Sequence, residues 1–119
     1  MPTIVFRDAQ PVLAVGGAGG LRIATGTTQA LLARLVFDKQ PVEAVSGARF
    51  HTPYEGPTTE LEFGTDEAVA RALRAAGEHV EWFSNFSAVQ MAAIRMRDDV
   101  LDRVEAAADP RFGGTAESR

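Results

Sequence analysis

Residues 87–107 read SAVQMAAIRMRDDVLDRVEAA, and the fold turns on how this stretch is read. Val89, Ala93, Met96, Val100 and Val104 fall at four-three-four-four spacing, and alanine is abundant. Pattern and propensity alone describe one long amphipathic helix. The rival is two buried strands joined at Arg97-Asp98-Asp99, because buried strands need not alternate. Asp98 and Asp99 suit a turn between such strands. The residues by themselves leave both readings open.

Working outward, Asp109-Pro110-Arg111 ends regular structure. The expectation for Asp109 and Arg111 is an ion pair that caps and pins this turn, with a catalytic pair as the alternative. From Gly113 the chain is small and polar, and residues 116–119 are expected to fray. Upstream, His79 to Phe83 reads as a strand. Before it, Thr65 sits where an N-cap belongs, followed by Asp66 and Glu67 in the first turn of a helix over 66–76. Val69, Leu73 and Ala76 are its expected buried stripe, and Gly77 is its stop. Residues 58–63 read as a strand, Glu55-Gly56-Pro57 as a turn and residues 48–52 as extended, since Pro53 biases Thr52 away from helix. Pro41 opens a short helix over 42–46 that Gly47 ends.

From Leu21 to Phe37 one apolar row holds Leu21, Ala24, Leu31 and Leu35, with Thr28 in the gap. Thr25, Leu32 and Val36 lie beside it. These spacings predict a long helix with a wide buried face. Gly26 inside it costs about 1 kcal/mol against alanine, which points to close packing there. Thr3 to Phe6 and Pro11 to Val15 form a hairpin around the polar break at residues 7–10. Its second strand feeds the stretch Val15-Gly16-Gly17-Ala18-Gly19-Gly20-Leu21, which precedes the long helix. Glycines at a helix start leave backbone amides open to an anion or a developing negative charge. A plain strand-to-helix turn is the competing reading. The lysine and Ser/Thr of a P-loop are missing, as is a Gly-x-Gly-x-x-Gly fingerprint with its acidic ribose ligand.

At 119 residues the chain suits one domain, read as residues 1–115, with enough buried surface for a single core. Net charge is −4 and the sequence pI is about 5.1, which argues against a broad nucleic-acid footprint. There is no cysteine, so disulfides and thiolate chemistry are excluded, while the compartment stays open. No stretch approaches the roughly 18–20 apolar residues of a membrane span, and the N-terminus does not have the pattern of a signal peptide. His51 and His79 are the two histidines, read as hydrogen-bonded or surface residues; no metal site and no cofactor are expected. Arg49 is read as structural, and Trp82, Phe83 and Phe86 as core. Glu60, Glu62, Asp66 and Glu67 are read as a solvated face.

In this order, the landmarks resemble the C-terminal part of the γ-glutamyltranspeptidase (glutathione hydrolase) family, within the N-terminal nucleophile hydrolases. Four features carry the resemblance. They are the strand into Gly16-Gly17-Ala18-Gly19-Gly20 with a Leu-Arg-Ile helix start, and Pro41-Val42-Glu43-Ala44-Val45 followed by Ala48-Arg49-Phe50-His51. The others are the helix end Ala76-Gly77 before His79-Val80, and Asp109-Pro110-Arg111 followed by Gly113-Gly114. The family commonly has proline where this chain has Ala48. The resemblance implies an α+β fold: part of a four-layer αββα sandwich, with a β-hairpin, a long helix and a mixed or antiparallel sheet carrying helices on one face. It also favours a β-hairpin over residues 87–107, turning near Asp98-Asp99.

The implied chemistry is γ-glutamyl transfer or glutathione hydrolysis by a threonine freed at a subunit N-terminus, whose own α-amino group serves as base. That threonine start is not matched in this sequence, and Thr3 follows Pro2 within a strand, so no nucleophile is assigned. Gly19 and Gly20 match the family's glycine pair, whose backbone amides form an oxyanion hole. The implied partner is a complementary nucleophile-bearing subunit. The alternative is a non-catalytic domain of the same fold that self-associates to cover its open sheet.

Overall fold

The structure, a computed structural model, describes residues 2–84 and 86–118. Met1 and Arg119, the outer limits of the expected domain and tail, lie outside the described residues. The order is β1 (Pro2–Arg7), β2 (Gln10–Ala18), a 3-10 turn (Gly20–Arg22), α1 (Ile23–Leu35), α2 (Pro41–Ser46), β3 (Phe50–His51) and β4 (Thr58–Glu62). Then follow α3 (Glu67–Ala75), β5 (His79–Phe83), β6 (Ala88–Arg97), β7 (Val100–Ala107) and a second 3-10 turn (Pro110–Phe112). The described residues form two compact units, one from residues up to Gly47 and from Ser87 onward, the other from Ala48 to Phe86.

In the first unit an antiparallel sheet runs in the order β1-β2-β6-β7. Residues 87–107 are therefore a hairpin. Asp98 (φ 49°) and Asp99 (φ 61°) make its two-residue turn. Asp8 (φ 50°) and Ala9 (φ 64°) do the same between β1 and β2. Two left-handed residues in a row twist in the sense of the flanking strands, and aspartate tolerates that region. The helical spacing in 87–107 is a coincidence of composition. Val89, Met91 and Ala93 alternate along β6, and the register shifts between Arg95 and Met96, so the five residues of the helical row do not share a face.

One sheet face packs against α1 and α2. Leu13, Val15, Val89, Met91 and Ala107 meet Ala30 of α1 and Ala44 and Val45 of α2. Of the face its leucines mark, α1 packs Leu31 against the core and leaves most of the rest exposed. Gly26, Thr27 and Ala30 are buried, whereas Leu21, Ala24, Thr28, Leu32, Leu35 and Val36 are exposed. Small residues win because the helix lies close over β2: a Cβ on Gly17 would stand 2.6 Å from Thr27 Oγ1 and 3.3 Å from Ile23 Cγ2. The other sheet face carries Ile4, Ala14, Gly16, Ala92 and Ala106 in a shallow open depression, with Ile4 59% and Phe6 60% exposed. For α2, Pro41 is at the first turn as expected. Gln40 caps it, its backbone N–H donating to Glu43 Oε2 at 2.9 Å in a capping box.

In the second unit β3 pairs antiparallel with β4, and β4 pairs parallel with β5 across the connection through α3. Leu61, Ala70 and Val80 form its core, with Leu73 and Trp82 packed against them. The cap of α3 is Asp66 rather than Thr65. Asp66 Oδ1 accepts from Ala68 N at 2.8 Å, while the Thr65 hydroxyl donates back to Glu62 O at 2.8 Å. The buried face also differs from the expected stripe. Ala70 is fully buried and Leu73 half-buried, but Val69 and Ala76 are exposed. Gly77 (φ 95°) ends it in a Schellman motif, with Glu78 N bonded to Leu73 O and Gly77 N to Arg74 O, both 3.0 Å.

Candidate functional site at the end of the second strand

Two of the four glycines predicted as loop are strand. Gly16 and Gly17 sit in β2, paired with Gln90 and Val89 of β6. The turn itself is Gly19 (φ 132°) and Gly20 (φ 67°), followed at once by the 3-10 turn and then α1. The two glycines are required for different reasons. A Cβ on Gly19 would lie 2.6 Å from Ser87 Cα and 2.8 Å from Ser87 Cβ, so space and backbone angle both demand glycine. A Cβ on Gly20 would meet nothing within 4 Å, so only its left-handed angle does. Ala18, Gly19, Gly20 and Leu21 are exposed, Leu21 at 89%. No side chain caps the N-terminus of α1. An open backbone turn thus leads into a helix N-terminus, a place where anionic charge is stabilised.

Ser87 lies under this turn. It is fully buried, and its hydroxyl donates to the Arg22 carbonyl at 2.9 Å. The Thr25 hydroxyl donates to the same carbonyl at 3.2 Å from within α1. Thr27, against Gly17, is fully buried, and among the described residues its hydroxyl has no hydrogen-bond partner. Sequence reading missed Ser87 and Thr27. Ser87 is 65 residues from Arg22, and no local pattern marks either contact.

Asp109 and Arg111 form a structural clamp within the first unit. Asp109 is fully buried; its Oδ2 accepts from Val89 N at 2.8 Å and its Oδ1 from Arg111 Nη1 at 2.9 Å. Arg111 also donates to Val45 O at 3.0 Å and Gly47 O at 2.9 Å, tying the end of α2 to the start of β6. Arg49 is buried, and its backbone N–H donates to Glu62 Oε2 at 2.9 Å. Glu62 is therefore not part of a solvated face. It is buried, because β4 turns its carboxylate toward the Arg49 backbone. Asp66 and Glu67 are exposed, and Glu60 is half-buried.

His51 is buried on β3 opposite Glu60, while His79 is exposed with Nε2 3.3 Å from Glu81 Oε1. Among the described residues no three His, Cys, Asp or Glu side chains come together in a metal-holding group. Of the aromatics, Phe86 is buried edge-on to Phe83, and Trp82 stacks on Phe63 with ring centroids 5.9 Å apart.

The sequence profile described as Gamma-glutamyltranspeptidase matches residues 1–118. The chain belongs to the γ-glutamyltranspeptidase family. Curated relatives include a glutathione hydrolase proenzyme of Pseudomonas sp. (strain A14), 38% identical over 61 residues, or 51% of this chain and 11% of that protein. Glutathione hydrolase 2 of Arabidopsis thaliana is 27% identical over 95% of this chain and 22% of its own length. Among solved structures, a mutant of Helicobacter pylori γ-glutamyltranspeptidase superposes with a TM-score of 0.85 at 27% identity, covering 93% of this chain and 60% of that one. This γ-glutamyltranspeptidase-family chain thus spans about a fifth of the Arabidopsis relative and three-fifths of the solved chain. Its α+β architecture is that of these N-terminal nucleophile hydrolase structures.

Proposed function

We propose that residues 1–119 serve γ-glutamyl transfer or glutathione hydrolysis as the part of the enzyme that supplies the oxyanion hole, from the backbone amides of Gly19 and Gly20. On this reading residues 1–115 are one domain. When a threonine hydroxyl attacks the γ-glutamyl carbonyl, the C–N bond is not yet broken and the electron pair moves onto the carbonyl oxygen. Fixed amides at that oxygen stabilise the charge without reorganising, and one such donor is worth about 3–4 kcal/mol of barrier. Collapse of the intermediate then expels the amine as it takes up a proton, leaving an acyl-enzyme for water or an amino acid. The threonine lies outside this sequence on this reading. Thr3 is not a candidate, being inside β1 opposite Val15.

The observation that carries the reading is the Gly19–Gly20 turn: exposed, left-handed and opening on a helix N-terminus. The test is γ-glutamyl-p-nitroanilide cleavage by residues 1–119 alone and together with the family's nucleophile-bearing segment. Turnover is expected only in the combination, falling about 100-fold or more in Gly19→Ala. Turnover by the chain alone, or an indifferent Gly19→Ala, refutes it.

The open sheet face with Ile4 and Phe6 supports a partner in either case, and it favours a second reading: a non-catalytic domain that self-associates. A concentration-dependent dimer that Ile4→Asp dissolves, with no turnover in the combination, supports that reading. A monomer at all concentrations excludes it.

A further inference from the structure

We propose that Ser87 is a positioning residue for the Gly19–Gly20 turn, setting where its amides point; the inference rests on the oxyanion reading above. Three observations converge. Ser87 is fully buried although it stands just before β6, beside an exposed turn. Its Cα and Cβ fill the space that any side chain on Gly19 would need, so the turn rests directly on this residue. Its hydroxyl then crosses from the residue before β6 to the Arg22 carbonyl at 2.9 Å, at the far end of the 3-10 turn that begins at Gly20. Ser87 therefore holds the turn at both ends: at Gly19 by contact and at Arg22 by hydrogen bond.

Thr25 also donates to Arg22 O, but from one turn along the same helix, so it moves with the segment and cannot register it against the sheet. Ser87, at the entry to β6, ties the turn to the sheet. Two residues on, Val89 N is held by the buried Asp109 carboxylate, which keeps this end of β6 in place. An alanine at 87 would keep the floor under Gly19 and release Arg22. A preorganised oxyanion donor loses its value when it must reorganise, and small displacements of a reacting geometry cost large factors in rate.

The experiment uses the active combination containing residues 1–119, with Ser87→Ala, Ser87→Cys and, as the control on the reading, Gly19→Ala, whose methyl group has no room against Ser87. Ser87→Ala is expected to lower kcat about tenfold per titrated active site with KM within twofold, and Ser87→Cys, a weak donor, to fall between. Amide hydrogen exchange is read on the same proteins. Residues 20–23 should exchange about tenfold faster in Ser87→Ala while Leu13 and Met91 in the core keep their protection. A merely structural role would lower protection throughout and leave kcat per active site unchanged. Unchanged kcat and unchanged exchange at 20–23 overturn the inference, as does uniform loss of protection. If Gly19→Ala leaves kcat intact, the oxyanion reading fails instead, and exchange at 20–23 alone then decides whether Ser87 registers the turn.

Discussion

The contact between Gly17 and Thr27 gives the sharpest test of how α1 is seated on the sheet. A methyl group added at Gly17 would stand 2.6 Å from Thr27 Oγ1, and Thr27 is fully buried in α1. Threonine is stiff at χ1, so Oγ1 can leave only by a switch to the other helical rotamer within a fully buried site. Overpacking of this kind costs about 1–3 kcal/mol, less about 0.5 kcal/mol regained from replacing glycine in a strand. Gly17→Ala should therefore destabilise by about 1–2 kcal/mol. Thr27→Ala should be close to neutral. It loses about 1 kcal/mol of buried methyl, but it removes a hydroxyl with no hydrogen-bond partner among the described residues and places a better helix former in α1. In the double variant the new methyl enters the space Oγ1 has left, so the cost of Gly17→Ala should vanish. The expected coupling is about 1–2 kcal/mol of recovered stability. Urea unfolding of the four proteins, with m held constant, measures it. Additivity within about 0.5 kcal/mol would refute the claim that this contact sets the helix-to-sheet distance.

Two further perturbations probe the frame around the site. Asp109→Ala removes the acceptor from Val89 N and Arg111 Nη1 and leaves a largely buried guanidinium without its carboxylate; a loss of about 3–5 kcal/mol in urea unfolding is expected, and a loss under 1 kcal/mol would show the clamp to be dispensable. Ala9 has φ 64° in the first hairpin turn, so Ala9→Gly should stabilise the chain by about 0.5–1 kcal/mol, seen as a higher urea midpoint at unchanged m. A lower midpoint would contradict the left-handed turn.

What was legible in the sequence divides by the range of the forces involved. The glycine stretch, Pro41, Gly77 and the breaks at residues 7–10 and 38–40 announced element ends, because turn and cap chemistry is local. The 87–107 stretch resisted. Its apolar residues satisfy a helical period, and nothing local penalises that reading; the resemblance to a family pointed to strands. The cap at Asp66 instead of Thr65 shows a similar limit, since both side chains are able caps and the backbone chooses between them. The faces of α1 were misread for a different reason. Its leucines mark the most hydrophobic row, but α1 lies close to the sheet at Gly17, and the residues it buries fully there are the small ones, Gly26, Thr27 and Ala30, with Leu31 and Ala33 at the edge of the core.

By itself the sequence determined the order of elements, the place of the glycine turn and the family kinship, because these rest on local backbone preference and on motifs in a fixed order. Local pattern left residues 87–107 open and the family resemblance chose the hairpin; tertiary structure alone decided its register, that Gly16 and Gly17 belong to β2 and that Glu62 is buried. It also decided that Ser87 supports a turn whose Arg22 carbonyl, its hydrogen-bond partner, lies 65 residues away in the chain. Each of these depends on which residues the fold brings within a few ångströms, and sequence separation carries no record of that distance.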